Sequence, residues 1–482
     1  MDRAKMHVLF ASAEAVPFAK VGGLGDVVGV LPQVIQDLDP ENLDVRLILP
    51  FHASVKTLNP PRQKIGDFEF TANTNIIRCE LFVSQLGKLP VYLVDNDQIN
   101  HNSPVYHGDW ALDGLKYASF SLAILEAARY LDWHIDLLHA NDWHTALSVY
   151  ALRSIYKDDP FFAGTKAVLS VHNLPFNGYG SQSAMSALGF EPSEDEDLPD
   201  WARFTPLPLG ISSADKVIAV SSGYAKEILT PEFGCGMDGY LRLHQDKVMG
   251  IINGIDTNSW DPANDTRIPH PYSMMDLAGK TETKAEFQQH AGFVVDADIP
   301  LLTTVSRIDR QKGIDLIFEG LAGLTSKPWQ LAILGTGDPL LEQKARDLSS
   351  QHPERAVAFL RYDDTLARLL YASGDIFLMP SLYEPCGLSQ MIAMRYGNLP
   401  LATATGGLQD TIVDYPADAE NATGFLFTDK SVDGFVSRLD DVLTVFQDKP
   451  TWLAIQQNAM KSDFSWPISA AKYLAVYRSL VA

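Results

Sequence analysis

Cysteine is scarce in this chain of 482 residues, which has only Cys79, Cys235 and Cys386. Three cannot build a disulfide framework, and their spacing matches no zinc or iron–sulfur site. A reducing, cytoplasmic setting is the expectation. Apolar runs are short, none nearing the roughly 18 residues that a membrane-spanning helix needs, so no membrane span is expected. The start, MDRAKMHVLFASAEAVPF, has a basic beginning and a brief apolar stretch that mimic a weak signal peptide. The stretch is short and soon interrupted by Glu14, so a first buried strand is the better reading. Cations are outnumbered: 38 Lys and Arg face 60 Asp and Glu, a formal charge of −22. A general nucleic-acid binder is thereby excluded, but a local basic pocket for a small anion is not. There is no internal repeat or low-complexity tract. No HExxH, Walker A, GxSxG or paired CxxC motif occurs, and the acidic residues show no metal-ligand spacing, so no metal and no cofactor is expected.

What is present is a globular composition, with 46% hydrophobic residues, 33 glycines and 28 prolines, on a chain long enough for a substantial core. The first half alternates short apolar runs with helical patterns. Strands are expected at 6–12, 45–49, 89–93, 135–139, 166–171 and 216–220. Helices are expected at 27–38, 117–129, 146–155 and 224–229. The texture changes near 252–262, where Asn253-Gly254 and a tract rich in Pro, Asp and His mark a domain junction. The rhythm then resumes, with strands at 301–306, 330–334, 357–360, 376–379 and 400–402. Helices are expected at 313–324, 340–348, 365–371, 388–396 and 432–446. Such alternation implies two successive α/β domains with mainly parallel sheets. The acidic run Glu194-Asp195-Glu196-Asp197, between Pro192 and Pro199, reads as a solvated loop.

Several constellations sit where strands end. Lys20-Val21-Gly22-Gly23-Leu24-Gly25-Asp26 follows the first strand and precedes a helix. Its glycines permit close backbone approach to a ligand, and a helix N-terminus beyond them favours an anion. The spacing is not the dinucleotide fingerprint, and both a structural turn and a ligand loop fit it. Arg307 and Lys312 follow the first strand of the second half, in Ser-Arg-Ile-Asp-Arg-Gln-Lys-Gly. Ligands of open α/β sheets sit beyond the carboxyl ends of strands, where an Arg clamps phosphate bidentately and a Lys adds a point charge. Ordinary surface cations are the other reading. Glu384, in Pro380-Ser-Leu-Tyr-Glu-Pro-Cys-Gly-Leu388, stands at another strand tip, suited to sugar hydroxyls or acid–base work. Thr405-Gly406-Gly407 opens a helix and offers amides to phosphate. His172 and Asp142 occupy two tips in the first half. Each alone is also explained as a satisfied cap. Cys386 reads as a small hydrophobe rather than a nucleophile.

In family order, these segments resemble the bacterial glycogen synthase and plant starch synthase family of retaining glucosyltransferases. The likeness runs through Lys20-Val-Gly-Gly-Leu-Gly-Asp-Val27, Asp142-Trp143, Val171-His-Asn173, Ala214-Asp-Lys-Val217, Thr230-Pro-Glu-Phe-Gly-Cys-Gly236 and Ile252-Asn-Gly-Ile-Asp-Thr257. It continues with Arg307, Gln311-Lys312-Gly313, Pro380-Ser381, Glu384-Pro-Cys-Gly-Leu388, Thr405-Gly-Gly-Leu408 and Asp463-Phe-Ser-Trp466. The resemblance implies a GT-B fold of two Rossmann-like domains facing across a deep cleft. On that reading, 1–254 is the acceptor-side domain, 255–460 the nucleotide-sugar donor domain, and 461–482 carries a helix, about 468–479, that crosses back to the first.

The activity implied is transfer of glucose from ADP-glucose to the non-reducing end of an α-1,4-glucan, with retention and without a divalent metal. Arg307 and Lys312 resemble the diphosphate clamp. Lys20, Gly22 and Gly23 look like contacts to the nucleotide-sugar. His172 resembles the histidine beside the anomeric carbon, Glu384 the carboxylate touching the donor hexose, and Asp142 a hexose or acceptor contact. Tyr362 is similar to a tyrosine near the base, and Thr405, Gly406 and Gly407 to the phosphate loop.

The chain departs from the family at several positions. Asn141 stands for the His of His-Asp-Trp, Thr403-Ala404 for a basic pair, and Arg368 for a histidine. The segment 204–211 lacks the Asn-x-x-Lys pattern. Ile392 stands where glycosyltransferases with paired glutamates carry a second one, eight positions after Glu384, a residue that glycogen and starch synthases often lack too. These changes spare the clamp, His172 and Glu384, and fall more on the acceptor side and the basic surround. A small sugar or short oligosaccharide acceptor is therefore an alternative, and a catalytically silent glucan- or nucleotide-binding protein is another. The sequence gives no visible sign of oligomeric state.

Overall fold

The computed structural model describes residues 5–324 and 327–482, so the first four residues of the basic start lie outside it. By its internal contacts the chain divides into two units, one of residues 1–254 with 466–482, the other of 255–465. Among the described residues, the first unit is built on nine strands: β1 Met6–Ala11, β2 Leu43–Pro50, β3 Gln63–Ala72, β4 Asn75–Leu86, β5 Leu89–Asp95, β6 Leu137–Asn141, β7 Lys166–Val171, β8 Lys216–Ala219 and β9 Val248–Gly250. They lie in the order β3-β4-β5-β2-β1-β6-β7-β8-β9. All neighbours pair in parallel except β3 with β4 and β4 with β5.

The central strands read as unbroken apolar runs because helices cover them on both faces. β1 pairs with β2 from Met6↔Leu43 to Ala11↔Ile48 and with β6 from Val8↔Leu137 to Ala11↔Ala140. This register sends the ends of β1 and β6 to the same edge. Val8, Phe10, Leu47, Leu49, Val91 and Leu137 are buried at the centre. The last helix, Trp466–Val481, belongs to this core through Trp466, Ala470, Tyr473 and Tyr477. Its Tyr477 hydroxyl lies 2.6 Å from His139 Nδ1 on β6, and the opposite ring nitrogen lies 2.7 Å from Ser170 Oγ on β7.

The second unit holds six strands among its described residues: β10 Leu301–Val305, β11 Gln330–Leu334, β12 Ala356–Phe359, β13 Ile376–Met379, β14 Leu399–Thr403 and β15 Phe425–Phe427. Their order is β12-β11-β10-β13-β14-β15, all parallel. This is the doubly wound arrangement of a nucleotide-binding sheet, with its order reversal between β10 and β13.

The structure corrects the sequence reading in three places. The helix expected over 27–38 is two, Gly23–Val28 and Leu31–Leu38. Pro32 lacks an amide hydrogen and cannot sit inside a continuous helix, so the chain restarts with Pro32 in its first turn. The β3–β4 hairpin was not anticipated, although its alternation is regular: Phe68, Phe70 and Ala72 face inward on β3, and Ile77, Cys79 and Leu81 on β4. The helix Ala278–His290 was also missed, because its buried face includes Lys280, Thr283, Lys284 and Gln288 rather than an apolar stripe. Lys280 donates to the carbonyls of Ala372 at 2.9 Å and Gly374 at 2.7 Å, capping the helix Asp364–Ser373. Among the described residues no helix is long and apolar enough to cross a membrane. The acidic run lies in a loop with Glu194, Glu196 and Asp197 exposed, as expected, while Asp197 pairs with His244 and Asp195 accepts from the Tyr240 hydroxyl.

Burial pushes the imidazole pKa of His139 down to about 3, with the neighbouring His172 adding to the effect. The folded-state value lies below the unfolded one, so this contribution to stability is complete above pH ~6.5 and is lost as pH falls toward the folded value. The thermal stability of the wild-type chain should therefore fall from pH 6.5 down to 4. His139→Gln should flatten part of that slope, whereas parallel curves for the two proteins would remove His139 from the account.

Candidate active site

Polar side chains gather where each sheet reverses its order. In the first unit the reversal lies between β1 and β6, from which the chain builds outward in opposite directions. Past β1 the chain forms a loop around Glu14, which is almost fully buried. Glu14 Oε2 accepts the amides of Val21 and Gly22, and its other oxygen accepts the Tyr106 hydroxyl. This carboxylate was not singled out in the sequence, although a lone acid at the tip of an apolar strand was its signal. It changes the expected role of the Gly-rich loop. The next helix, Gly23–Val28, has six residues, and amides expected to face an anion are held by Glu14. Gly22 and Gly23 have open space where a side chain would project, so internal packing does not demand glycine there. Lys20 is exposed and pairs with Asp26 at 2.7 Å.

Asp142 follows β6 at φ 56° and ψ −173°, a backbone conformation that a non-glycine residue holds only against strain of about 1–3 kcal/mol. Its amide donates to Ser170 O at 2.9 Å. Its carboxylate accepts from the amides of His172 at 2.7 Å and Asn173 at 3.4 Å. Burial raises its pKa to about 7; the two amide bonds oppose that shift and the Glu14 charge reinforces it. At neutral pH the carboxyl is thus divided between its charged and protonated forms. His172, at the tip of β7, is half-buried, and burial lowers its pKa to about 4, so it is neutral at pH 7. Beside it, Asn173 Oδ1 is buried with no hydrogen-bond partner among the described residues. Such a buried acceptor has room for a donor, a water or a ligand hydroxyl, beside the strained carboxyl.

In the second unit the reversal between β10 and β13 sets two loops side by side. Asp309, past β10, accepts the Lys312 amide at 3.0 Å and pairs with Arg307 at 2.5 Å. Arg307 also donates to Gln311 Oε1 at 3.0 Å, and its side chain is 60% exposed. Gly313 has φ 65°, and a side chain there would stand 1.9 Å from the Pro380 carbonyl, so only glycine lets the two loops meet. The Leu382 amide donates to Gln311 O at 2.8 Å across the same seam. Lys312 Nζ consequently reaches Glu384 Oε2 at 2.6 Å, and Ser381 Oγ donates to the same oxygen at 3.1 Å. Both members of the pair are largely removed from water, with side chains 17% and 8% exposed.

The other expected residues are placed differently. Gly407 donates its amide to the Glu384 carbonyl at 3.0 Å and so braces the Glu384 segment, while the Thr405 amide closes a local turn onto Thr403 O at 2.9 Å. A side chain at 407 would lie 2.2 Å from Cys386 O, which is why glycine is required there. Gly406 begins a helix of six residues, Gly406–Thr411. Tyr362 is 79% exposed on the surface of its unit. Arg368 is buried, pairs with Asp265 at 2.9 Å and lies 3.8 Å above the Trp260 ring, a structural tie. The segment 204–211 contributes to a buried helix, Pro206–Ser213, packed on Trp143–Arg153. Among the described residues, no three His, Cys, Asp or Glu side chains cluster as metal ligands.

Relatives share this organisation along the chain. Residues 7–243 match the starch synthase catalytic domain family, and residues 286–458 match glycosyl transferases group 1. The glycogen synthase of Syntrophotalea carbinolica is 37% identical over 482 residues, covering 99% of each chain. That of Streptococcus sanguinis is 38% identical over 487 residues, covering 99% of this chain and 100% of the relative. The catalytic domain of starch synthase IV from Arabidopsis thaliana, solved bound to ADP and acarbose, superposes with a TM-score of 0.88 at 28% identity, covering 99% of this chain and 100% of that one. A sucrose-phosphate synthase from Thermosynechococcus elongatus shares the fold at a TM-score of 0.62 and 18% identity, with 99% of each chain covered. Two parallel α/β units with polar strand tips, matched over their length to glycosyltransferases, define a GT-B glycosyltransferase. The chain belongs to the glycogen synthase and starch synthase family.

Removing one member of a buried ion pair strands the other charge. Lys312→Ala should lower unfolding stability by about 3 kcal/mol, and Lys312→Ala with Glu384→Ala together should recover part of that loss. Denaturation of the wild type, both single variants and the double variant measures the coupling; strictly additive losses would contradict it.

Proposed function

We propose that this protein transfers glucose from ADP-glucose to the non-reducing end of an α-1,4-glucan with retention of configuration. The observation that carries the proposal is the meeting of Lys312 and Glu384 at the order reversal of the second sheet, in the turn that also carries Arg307. The two cations suit a diphosphate, and the carboxylate suits hexose hydroxyls. The bacterial glycogen synthases and the ADP-bound plant starch synthase support the donor and the acceptor. Among the described residues no cysteine is in a disulfide, which fits the reducing, cytoplasmic setting expected for this chain.

In the proposed step, the donor's C1–O bond breaks and its electron pair leaves with ADP. Negative charge grows on the diphosphate, where Arg307 and Lys312 stabilise it with little reorganisation. The acceptor 4-hydroxyl attacks C1 from the face the phosphate leaves, and its proton passes to the departing phosphate oxygen. Retention follows from that single-face substitution. Glu384, held by Lys312 and Ser381, orients the hexose and is not the nucleophile. His172 is neutral at working pH and supplies hydrogen bonds and its backbone carbonyl rather than a proton. Lys20 and the Gly22-Gly23 loop are proposed as contacts to the nucleotide-sugar. The neutralising role falls to fixed cations, and no metal is assigned one.

A second reading has one observation in its favour. The helix Pro206–Ser213 buries apolar residues where the family carries a polar acceptor segment, which suits a shorter acceptor. A matrix of ADP-, UDP- and GDP-glucose against glycogen, maltose and small sugars, read by product mass, separates the two. Elongation of glycogen with ADP release is expected, and transfer confined to small sugars would select the second reading. Arg307→Ala and Glu384→Ala should each cut kcat by roughly 100-fold. Unchanged rates in both would overturn the site assignment.

A further inference from the structure

Asn141 ends β6 and is 1% exposed. Its Nδ2 donates to the Ala11 carbonyl at 3.1 Å, a group that can only accept. This bond fixes the orientation of the amide, which turns Oδ1 toward His172 Nε2 at 3.0 Å. An amide oxygen also only accepts, so Nε2 must carry the ring hydrogen. The backbone of Asn141 is pinned as well, its N–H donating to Thr145 Oγ1 at 2.7 Å. On the other side, the His172 amide donates to Asp142. A neutral imidazole with hydrogen on Nε2 keeps its lone pair on Nδ1, and Nδ1 makes no hydrogen bond to protein among the described residues.

We infer that Asn141 is a positioning residue that locks His172 in the Nε2–H tautomer, so that Nδ1 presents a hydrogen-bond acceptor to a hydroxyl of the bound hexose. The identity of that hydroxyl rests on the proposed glucosyl transfer. The lock itself is a property of the first unit alone. Asn141 is one of the chain's departures, standing where the family has a histidine. A histidine there can donate, accept or become charged, whereas an asparagine does not titrate. The lock therefore persists across the working pH range. The ionisable groups around His172 are Asp142 at the β6 tip, His139 within β6 and His144 on the helix Trp143–Arg153. Glu14 from the β1 tip acts through Asp142, and Tyr224 contributes a hydroxyl that accepts the Leu174 amide.

Nitrogen-15 NMR of the full-length, histidine-labelled protein reads the tautomer directly, with the His172 signals assigned by their loss in His172→Gln. The wild type should show a protonated Nε2 and an unprotonated Nδ1 at pH 7 and still at pH 5.5. In Asn141→Leu those signals should move to averaged tautomer positions, and kcat should fall roughly tenfold with acceptor KM unchanged. Asn141→Asp keeps an acceptor facing Nε2, so it should restore the Nε2–H signal. Its negative charge should also shift His172 protonation and the acid limb of the rate upward by about one pH unit. A wild-type His172 protonated on Nδ1 would overturn the inference, as would Asn141→Leu with unaltered His172 signals. A locked tautomer in a protein that transfers no sugar would uphold the lock and overturn the proposed function instead.

Discussion

Each sheet reverses its strand order once, between β1 and β6 in the first unit and between β10 and β13 in the second. At such a point successive connections leave toward opposite faces, so no crossover roofs the gap between the two strand ends. The rest of the site depends on that constraint. It sets the Glu14 loop beside Asp142 in one unit and the Arg307–Lys312 turn beside Glu384 in the other. Gly313 shows how tightly the second reversal is used, because a single methyl group there would drive the two loops apart and break the Lys312–Glu384 contact.

Charge at both reversals is balanced within the protein. Lys312 is satisfied by Glu384, Arg307 by Asp309, and Lys20 by Asp26. On a chain with a formal charge of −22, unpaired cations would be attractive to any acid, and these partners hold them in place. Neither the largely buried Lys312–Glu384 pair, once desolvation is counted, nor the more exposed Arg307 and Lys20 pairs gain much net stability, so their value here is geometric. The first unit uses neutral means instead. Asp142 is lifted toward neutrality by burial, and His172 is kept uncharged. One unit is thus suited to phosphate and the other to hydroxyl groups.

The alternation of apolar runs and helical patterns made both parallel sheets legible from the residues, since central parallel strands are apolar throughout. Elements that bury polar atoms were not legible in this way. The helix Ala278–His290 hides lysines that cap a neighbouring helix, which no hydrophobic period reports. The strand-tip residues His172, Asp142, Arg307, Lys312 and Glu384 could be singled out because sheets of this class bind at those tips. Glu14 was passed over because its importance lies in the two amides folded onto it, a contact between positions seven and eight residues apart that spacing alone does not reveal. The packing role of Gly407 went unseen for a related reason: its amide and its lack of a side chain both serve the Glu384 segment.

The central claim is retaining transfer at the strand tips, with the leaving phosphate receiving the acceptor's proton. Its most direct test is the linkage formed when maltoheptaose is incubated with ADP-glucose carrying carbon-13 at C1, read by NMR of the purified product. The account predicts one labelled residue at the non-reducing end, joined α-1,4. A β-linked residue, or labelled free glucose with no lengthened chain, would contradict it.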